Sequence, residues 1–153
     1  MDLKKLIGEY FGSCKAMQLA TVNEDQPWLC TVYFVVDNQM NIYWTSTKMR
    51  RHSKEIINTP QVAATIVRDV DRKQALQIVG EAFMVDLSDV KSVNKLYGDK
   101  YGDKPERLKE VLANDPDGRA YWVLRPSHIS LWDEVNFPDQ PKQEYDLGID
   151  NEQ

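Results

Sequence analysis

Three consecutive hydroxyl residues, Thr45, Ser46 and Thr47, are followed within seven positions by Lys48, Arg50, Arg51, His52 and Lys54. Hydroxyls supply short, adaptable hydrogen bonds. A guanidinium group grips an oxyanion with two parallel N–H donors, a stronger arrangement than an ammonium offers. This is the chemistry of anion binding, and a phosphate suits it best. Residues 41–46 are aromatic and β-branched and read as a strand. Residues 50–58 read as a short helix, ended by Asn58-Thr59-Pro60 because the residue before a proline resists the α region. A strand that hands over to a helix brings unpaired backbone N–H groups and the positive end of the helix dipole to the same place. The plain alternative is a solvated helix face whose arginines pair with Glu55 or with aspartates. His52 beside Arg50 reads as an anion contact whose charge depends on pH.

The chain around this island is acidic: 153 residues with a formal net charge of −5. General nucleic-acid binding needs a broad basic surface and is disfavoured. Hydrophobic residues make up 42% and charged residues 28% of the chain, enough apolar material for one domain with a real core. No apolar run approaches the roughly 20 residues of a membrane span. The N-terminal residues lack the long apolar core of a signal peptide. Cys14 and Cys30 form neither a CxxC pair nor a disulfide framework, and a cytoplasmic protein with free thiols is expected. His52 and His128 are the only histidines and do not make zinc spacing with two isolated cysteines.

The elements that position the basic island follow from periodicity. Leu3, Leu6, Ile7, Tyr10 and Phe11 form one helical stripe, with Asp2 as cap and Gly12 as stop. Residues 17–22 alternate as a strand, and 23–27 are a turn cluster. Residues 28–36 predict one long strand, apolar on both faces and so covered by helices or by a second subunit. Residues 37–40 make a tight connection into the strand at 41–46. Further strands are expected at 61–67 and 75–86, and Gly80 inside the latter signals a bulge or close backbone approach. Helices are expected from Ser88 and from Pro105. Two more strands, 120–124 and 127–132, are separated by Pro126. Residues 1–136 then form one domain, and 137–153 a loosely held acidic tail. Six or seven antiparallel strands with short turns predict a mainly β protein with helices, a small barrel closed to remove its edges.

In this order the motifs resemble the pyridoxamine 5′-phosphate oxidase-like, FMN-binding split-barrel family, over roughly residues 5–135. The resemblance is carried by Leu19-Ala-Thr-Val-Asn23, Gln26-Pro-Trp28, Tyr33-Phe-Val-Val-Asp37, Ile42-Tyr-Trp-Thr-Ser46, Arg50-Arg-His-Ser-Lys54, Asn58-Thr-Pro-Gln-Val-Ala63 and Leu76-Gln-Ile-Val-Gly-Glu-Ala82. It implies a homodimer with FMN in the groove between two split barrels. The implied phosphate contacts are Thr45, Ser46, Thr47, Arg50 and Arg51, with Lys48, His52 and Lys54 beside them. The implied ring contacts run from Trp28 to Thr31. Gln77 matches a position that often reaches the flavin, and Trp132 resembles a terminal aromatic found near it in general-stress-type members. True oxidases of the family carry Arg and Lys where this chain has Trp28 and Tyr33, and a serine at Met49; their C-terminal Arg motif is missing. The resemblance therefore implies a flavin-dependent oxidoreductase acting on a small molecule, or a flavin-binding protein without turnover, rather than a vitamin-B6 oxidase. Related branches of the fold bind haem or deazaflavin. From the residues alone, Trp44 and Trp122 read as core, and Cys30 reads as a small buried hydrophobe.

Overall fold

The computed structural model describes residues 1–147. Helix α1 (Leu3–Ser13) opens the chain, and the Asp2 carboxylate caps it by accepting from the Lys5 amide at 3.2 Å. It runs one residue past Gly12. The strands β1 (Ala16–Asn23) and β2 (Gln26–Tyr33) form a hairpin. A two-residue strand β3 (Val35–Val36) and β4 (Ile42–Thr47) form the next hairpin. Its turn is tied by Asp37, whose carboxylate accepts from the Gln39 and Asn41 amides. Helix α2 (Arg51–Asn58) follows, then β5 (Gln61–Asp69) and β6 (Gln74–Met84). After a single 3-10 turn come α3 (Val90–Tyr101) and α4 (Pro105–Ala113), the latter with Pro105 in its first turn. Strands β7 (Arg119–Asp133) and β8 (Lys142–Asp146) complete the described chain.

All pairings are antiparallel. The sheet runs β2-β1-β5-β6-β7-β4-β3, and β8 joins β7. The two ends of this order, β2 and β3, are consecutive in the chain and joined through Phe34, so the sheet curls back on itself as a split barrel. Its interior holds the main core, including Met17, Leu19, Phe34, Trp44, Ile66, Leu76, Ile78 and Trp122. A smaller core lies outside the barrel, where Val90, Val93, Tyr97 and Val111 of α3 and α4 pack on Val35 and Tyr121. Among the described residues, no helix is long and apolar enough to cross a membrane.

Three local expectations are corrected. The strand expected over 28–36 breaks at Phe34. Its ring turns into the main core while Val35 enters the smaller one, so one flat strand cannot serve both. The strands expected either side of Pro126 are one strand, β7. Pro126 sits opposite Gly80 at a register shift, where the missing N–H costs no ladder bond. A Cβ on Gly80 would stand 2.2 Å from the Arg125 carbonyl oxygen, which is the close approach the glycine signalled. Residues 137–147 are also no loose tail. Phe137 and Tyr145 pack on the core, and β8 pairs with β7 from Trp132 to His128. The acidic residues of β8 find partners there: Glu144 accepts from Ser130 and bonds His128. Residues 148–153 of the expected tail lie outside the described residues.

Buried Asp133 ties the ends of the barrel together. Its carboxylate accepts from Tyr10 Oη at 2.9 Å, from Gln74 Nε2, from Asn136 Nδ2 and from the amides of Val135 and Asn136. Five donors on one carboxylate hold it below the usual carboxylate range although burial pushes the other way.

Candidate functional site

The junction of β4 and α2 forms one wall of an open cleft of about 590 Å³. Thr45 and Ser46 come from β4, and Arg50, Arg51 and His52 from the start of α2. The facing wall is β2, from Trp28 to Tyr33, and Arg119 closes one side. No side chain caps the N-terminus of α2. Ser53 is fully buried and donates to the Thr47 carbonyl at 2.8 Å rather than capping the helix. The first-turn amides of the helix therefore have no side-chain acceptor, which is the condition an anion meets.

Each basic residue has its own surroundings. Arg50 is exposed and carries no side-chain hydrogen bond or ion pair in the described chain. Arg51 donates Nε to Glu55 at 2.9 Å and lays its guanidinium 4.1 Å from the Trp28 ring centroid, and its two terminal nitrogens have no hydrogen-bond acceptor among the described residues. Glu55 is only 5% exposed. Burial would raise its pKa, but the hydrogen bond from Thr21, with Arg51, lowers it below the usual range. His52 is 7% exposed, and its Nε2 has no hydrogen-bond partner among the described residues. Burial, then the Arg50 charge, push its pKa below the ordinary 6.5, with Glu55 opposing. Cys30 lines the cleft half-buried, and burial followed by Glu55 keeps its thiol protonated.

The other expected contacts stand elsewhere. Lys48 turns away: its Nζ donates to Asn114 Oδ1 at 3.0 Å and to the Asp115 carbonyl at 2.8 Å, clamping the end of α4. Lys54 lines a separate, smaller groove with Asn23 and Met49. Thr47 takes part through its carbonyl, as the acceptor for Ser53. Trp44 and Trp122 are fully buried in the core, as the sequence reading has them. Gln77 and Trp132 do not line this cleft. They share the outer face of the β6–β7 pair, where register sets Gln77 opposite Ser130 and Ala75 opposite Trp132.

That outer face has its own order. Register aligns Thr31, Gln18, Thr65, Gln77 and Ser130 in one row across β2, β1, β5, β6 and β7. The next row is Leu29, Ala20, Ala63 and Val79, apolar on four strands and ended by His128 on β7. Among the described residues, Leu29 is left 61% exposed and Val79 47% exposed.

Arg119 is the residue that sequence reasoning missed. It opens β7 opposite Thr47, donates Nη1 to Thr45 Oγ1 at 3.4 Å and pairs through Nε with Glu110 at 2.8 Å. No local signal marks it; only the pairing of β4 with a strand more than 70 positions away brings it to the site. Tyr33, Thr45 and Arg119 also border a second cleft of about 640 Å³, walled by Tyr97, Tyr101 and Arg107. Two buried polar atoms there, Tyr97 Oη and Arg107 Nη1, have no hydrogen-bond partner. The two clefts thus meet at Thr45 and Arg119.

Comparison with known proteins supports this fold and order of elements. No curated protein matches the chain by sequence. Among solved structures, general stress protein 26 from Bacillus anthracis str. Sterne superposes with a TM-score of 0.70 at 18% identity, over 96% of this chain and 100% of that one. HutZ, a haem storage protein from Vibrio cholerae, gives 0.65 at 24% identity, over 82% and 91%. The protein Atu2129 from Agrobacterium tumefaciens str. C58, of unknown function, gives 0.68 at 14% identity over 85% of this chain, which spans only 56% of that longer protein. At these identities the likeness is one of fold. A family model described as pyridoxamine 5′-phosphate oxidase matches residues 3–133. On that match, which takes in both walls of the cleft, the chain belongs to the pyridoxamine 5′-phosphate oxidase-like split-barrel family.

Proposed function

We propose that this protein binds FMN at the β4–α2 junction and works as a flavin-dependent oxidoreductase on a small molecule, as a homodimer. The observation that carries the reading is the cleft itself. An uncapped helix start, Arg50, the free end of Arg51 and the hydroxyls of Thr45 and Ser46 all face one volume, and β2 stands opposite. A phosphate at that helix start would meet backbone amides and two guanidinium groups. The flavin ring would run along β2, with Trp28 as an aromatic wall and Thr31 as a polar contact. Bound flavin supplies the redox chemistry, a transfer of hydride or electrons; the chain supplies position and electrostatics.

Two further features support this reading. The second cleft gives a second reactant a place beside the first, with Arg119 and Thr45 at the border. The apolar outer row of Leu29, Ala20, Ala63 and Val79 offers a face for a second subunit. Gln77 lies three strands from Thr31 in the neighbouring row, on the order of 14 Å at ordinary strand spacing. It reaches a flavin on β2 only if the ring is shared between two sheets, and the same holds for Trp132.

A second reading, haem, is favoured by one residue. Axial ligation needs a neutral imidazole with a free nitrogen, and His52 is held neutral with Nε2 unpartnered. The visible spectrum of the purified protein decides between them. FMN binding gives a yellow protein with flavin absorption that survives gel filtration; a Soret band after incubation with haemin, and no retained flavin, replaces the first reading with the second. Protein that stays colourless after both incubations overturns both.

A further inference from the structure

We propose that His52 makes phosphate binding at this site proton-linked: the anion enters together with one proton, taken up by the imidazole ring. The proposal rests on the reading of the β4–α2 junction as the FMN phosphate site and deepens it.

The geometry comes first. His52 lines the cleft between the Arg50 and Arg51 side and Ser46, and more than nine-tenths of it is buried. Its Nε2 is unpartnered. A buried polar atom without a partner is a cost that native structures rarely leave standing outside functional sites. The charged and titratable groups around it can be named by element. From its own helix these are Arg50, Arg51 and Glu55. From β7 there is Arg119, and from β2 the protonated Cys30; β4 adds only the hydroxyls of Thr45 and Ser46. Glu55 does not serve His52 as a hydrogen-bond partner, since its two oxygens are taken by Thr21 and Arg51. The ring therefore has no hydrogen-bonded anion, Glu55 acts on it only through space and is outweighed by burial and Arg50, and it is neutral in the free protein at neutral pH.

An arriving phosphate monoester reverses that balance, because it brings a charge of about −1.5 to −2 at pH 7. It screens the ring from Arg50 and rewards protonation. The pKa of His52 is therefore higher in the bound state than in the free state. The sign follows from linkage: affinity is greatest below the free-state pKa, declines as pH rises between the two values, and levels off above the bound-state value. The phosphate's own second ionisation, near 6, works the other way at lower pH. The combination gives an affinity maximum at mildly acidic to neutral pH. Riboflavin, which has the ring system and no phosphate, isolates the effect.

The test is a titration of the full chain with FMN and with riboflavin, read by flavin fluorescence quenching, between about pH 5.5 and 8.5, a range that spans both sides of the ordinary histidine pKa. The expected result is an FMN affinity that falls by up to roughly tenfold per pH unit, the slope of one linked proton. Riboflavin affinity stays flat. His52→Gln binds FMN at every pH with the weaker affinity that the wild type shows at high pH, and loses the slope; Arg50→Ala lowers affinity at every pH and keeps it. Calorimetry of wild-type protein in two buffers of different ionisation enthalpy reads proton uptake directly and does not depend on any variant folding. A flat FMN profile, the wild-type slope persisting in His52→Gln, or no proton uptake overturns the proposal and leaves FMN binding intact. FMN failing to bind at every pH removes the phosphate reading together with it.

Discussion

The guanidinium of Arg51 lies 4.1 Å from the ring centroid of Trp28 while its Nε bonds Glu55 at 2.9 Å. One side chain thus braces the aromatic wall of β2 against α2 and neutralises a buried carboxylate, before any ligand is considered. Arg50 does neither. The two arginines, adjacent in sequence and equal in charge, should separate on mutation. Arg50→Ala should cost FMN affinity alone, about tenfold or more for a lost charge-assisted hydrogen bond of roughly 1.5–3 kcal/mol. Arg51→Ala should cost a similar factor and also lower stability by about 1 kcal/mol, since Glu55 loses a partner and Trp28 its brace. Lys48→Ala should leave affinity unchanged, because Lys48 is committed to Asn114 and Asp115. Flavin titration and urea denaturation of the three variants check this; equal losses in all three would refute the assignment.

Two glycines make opposite predictions. Gly80→Ala drives a methyl group to 2.2 Å from the Arg125 carbonyl oxygen, and both neighbours are backbone. The β6–β7 pair must shift, at a cost of about 1–3 kcal/mol on the scale of overpacked cores. Gly8 lies inside α1 with open space where its Cβ would go. Gly8→Ala should therefore stabilise the protein by about 0.5–1 kcal/mol through helix propensity. Thermal unfolding of both variants decides the matter, and a neutral Gly80→Ala would show that the approach is not tight.

Much of this architecture is legible in local pattern. The stripe from Leu3 to Phe11, the alternation of 17–22, Pro105 in a first turn and Gly80 inside a strand each have one local physical meaning, and each appears as expected. What pattern does not carry is what depends on distant pairing. Pro126 reads as a break, because only its partner Gly80 shows that the missing N–H faces a register shift. Residues 142–146 read as a charged tail, because their acids become strand residues only once His128 and Ser130 lie opposite. The site divides the same way. Thr45, Ser46, Arg50, Arg51 and His52 are neighbours in sequence and meet in one cleft. Lys48 differs from Arg50 only in which way the chain turns after β4, and Arg119 enters through the β4–β7 pairing.

Acid should unfold this protein through two buried carboxylates. Asp133 and Glu55 are 0% and 5% exposed, and each is held below its ordinary value, 3.8 and 4.5, by hydrogen bonds that outweigh burial. A depressed folded-state pKa contributes stability that is present above the unfolded value and is lost as pH falls through the folded one. Urea midpoints should thus hold down to about pH 5 and drop steeply below about pH 4. Asp133→Asn should lose roughly 3 kcal/mol at neutral pH, the scale of hydrogen bonds to a buried charge, and show a shallower acid limb. A wild-type midpoint that is unchanged at pH 3 would contradict the role given to both groups.

The outer face of the sheet sets the last prediction. Leu29, Ala20, Ala63 and Val79 lie side by side on four adjacent strands, with Leu29 and Val79 largely exposed in the single chain. A contiguous apolar face of this kind marks an interface when polar residues border it, and the row of Thr31, Gln18, Thr65, Gln77 and Ser130 does so. Leu29→Glu places a charge at the β2 end of that face, on its most exposed residue, without touching the interior of the barrel. It should leave the fold intact by circular dichroism and turn the proposed dimer into a monomer by light scattering. In the proposed dimer Gln77 and Trp132 would approach the flavin across the interface, so FMN affinity should fall in the same variant by at least about tenfold, the loss of one or two hydrogen bonds and an aromatic contact. A wild-type monomer that binds FMN tightly would show instead that the cleft of a single chain is the whole site.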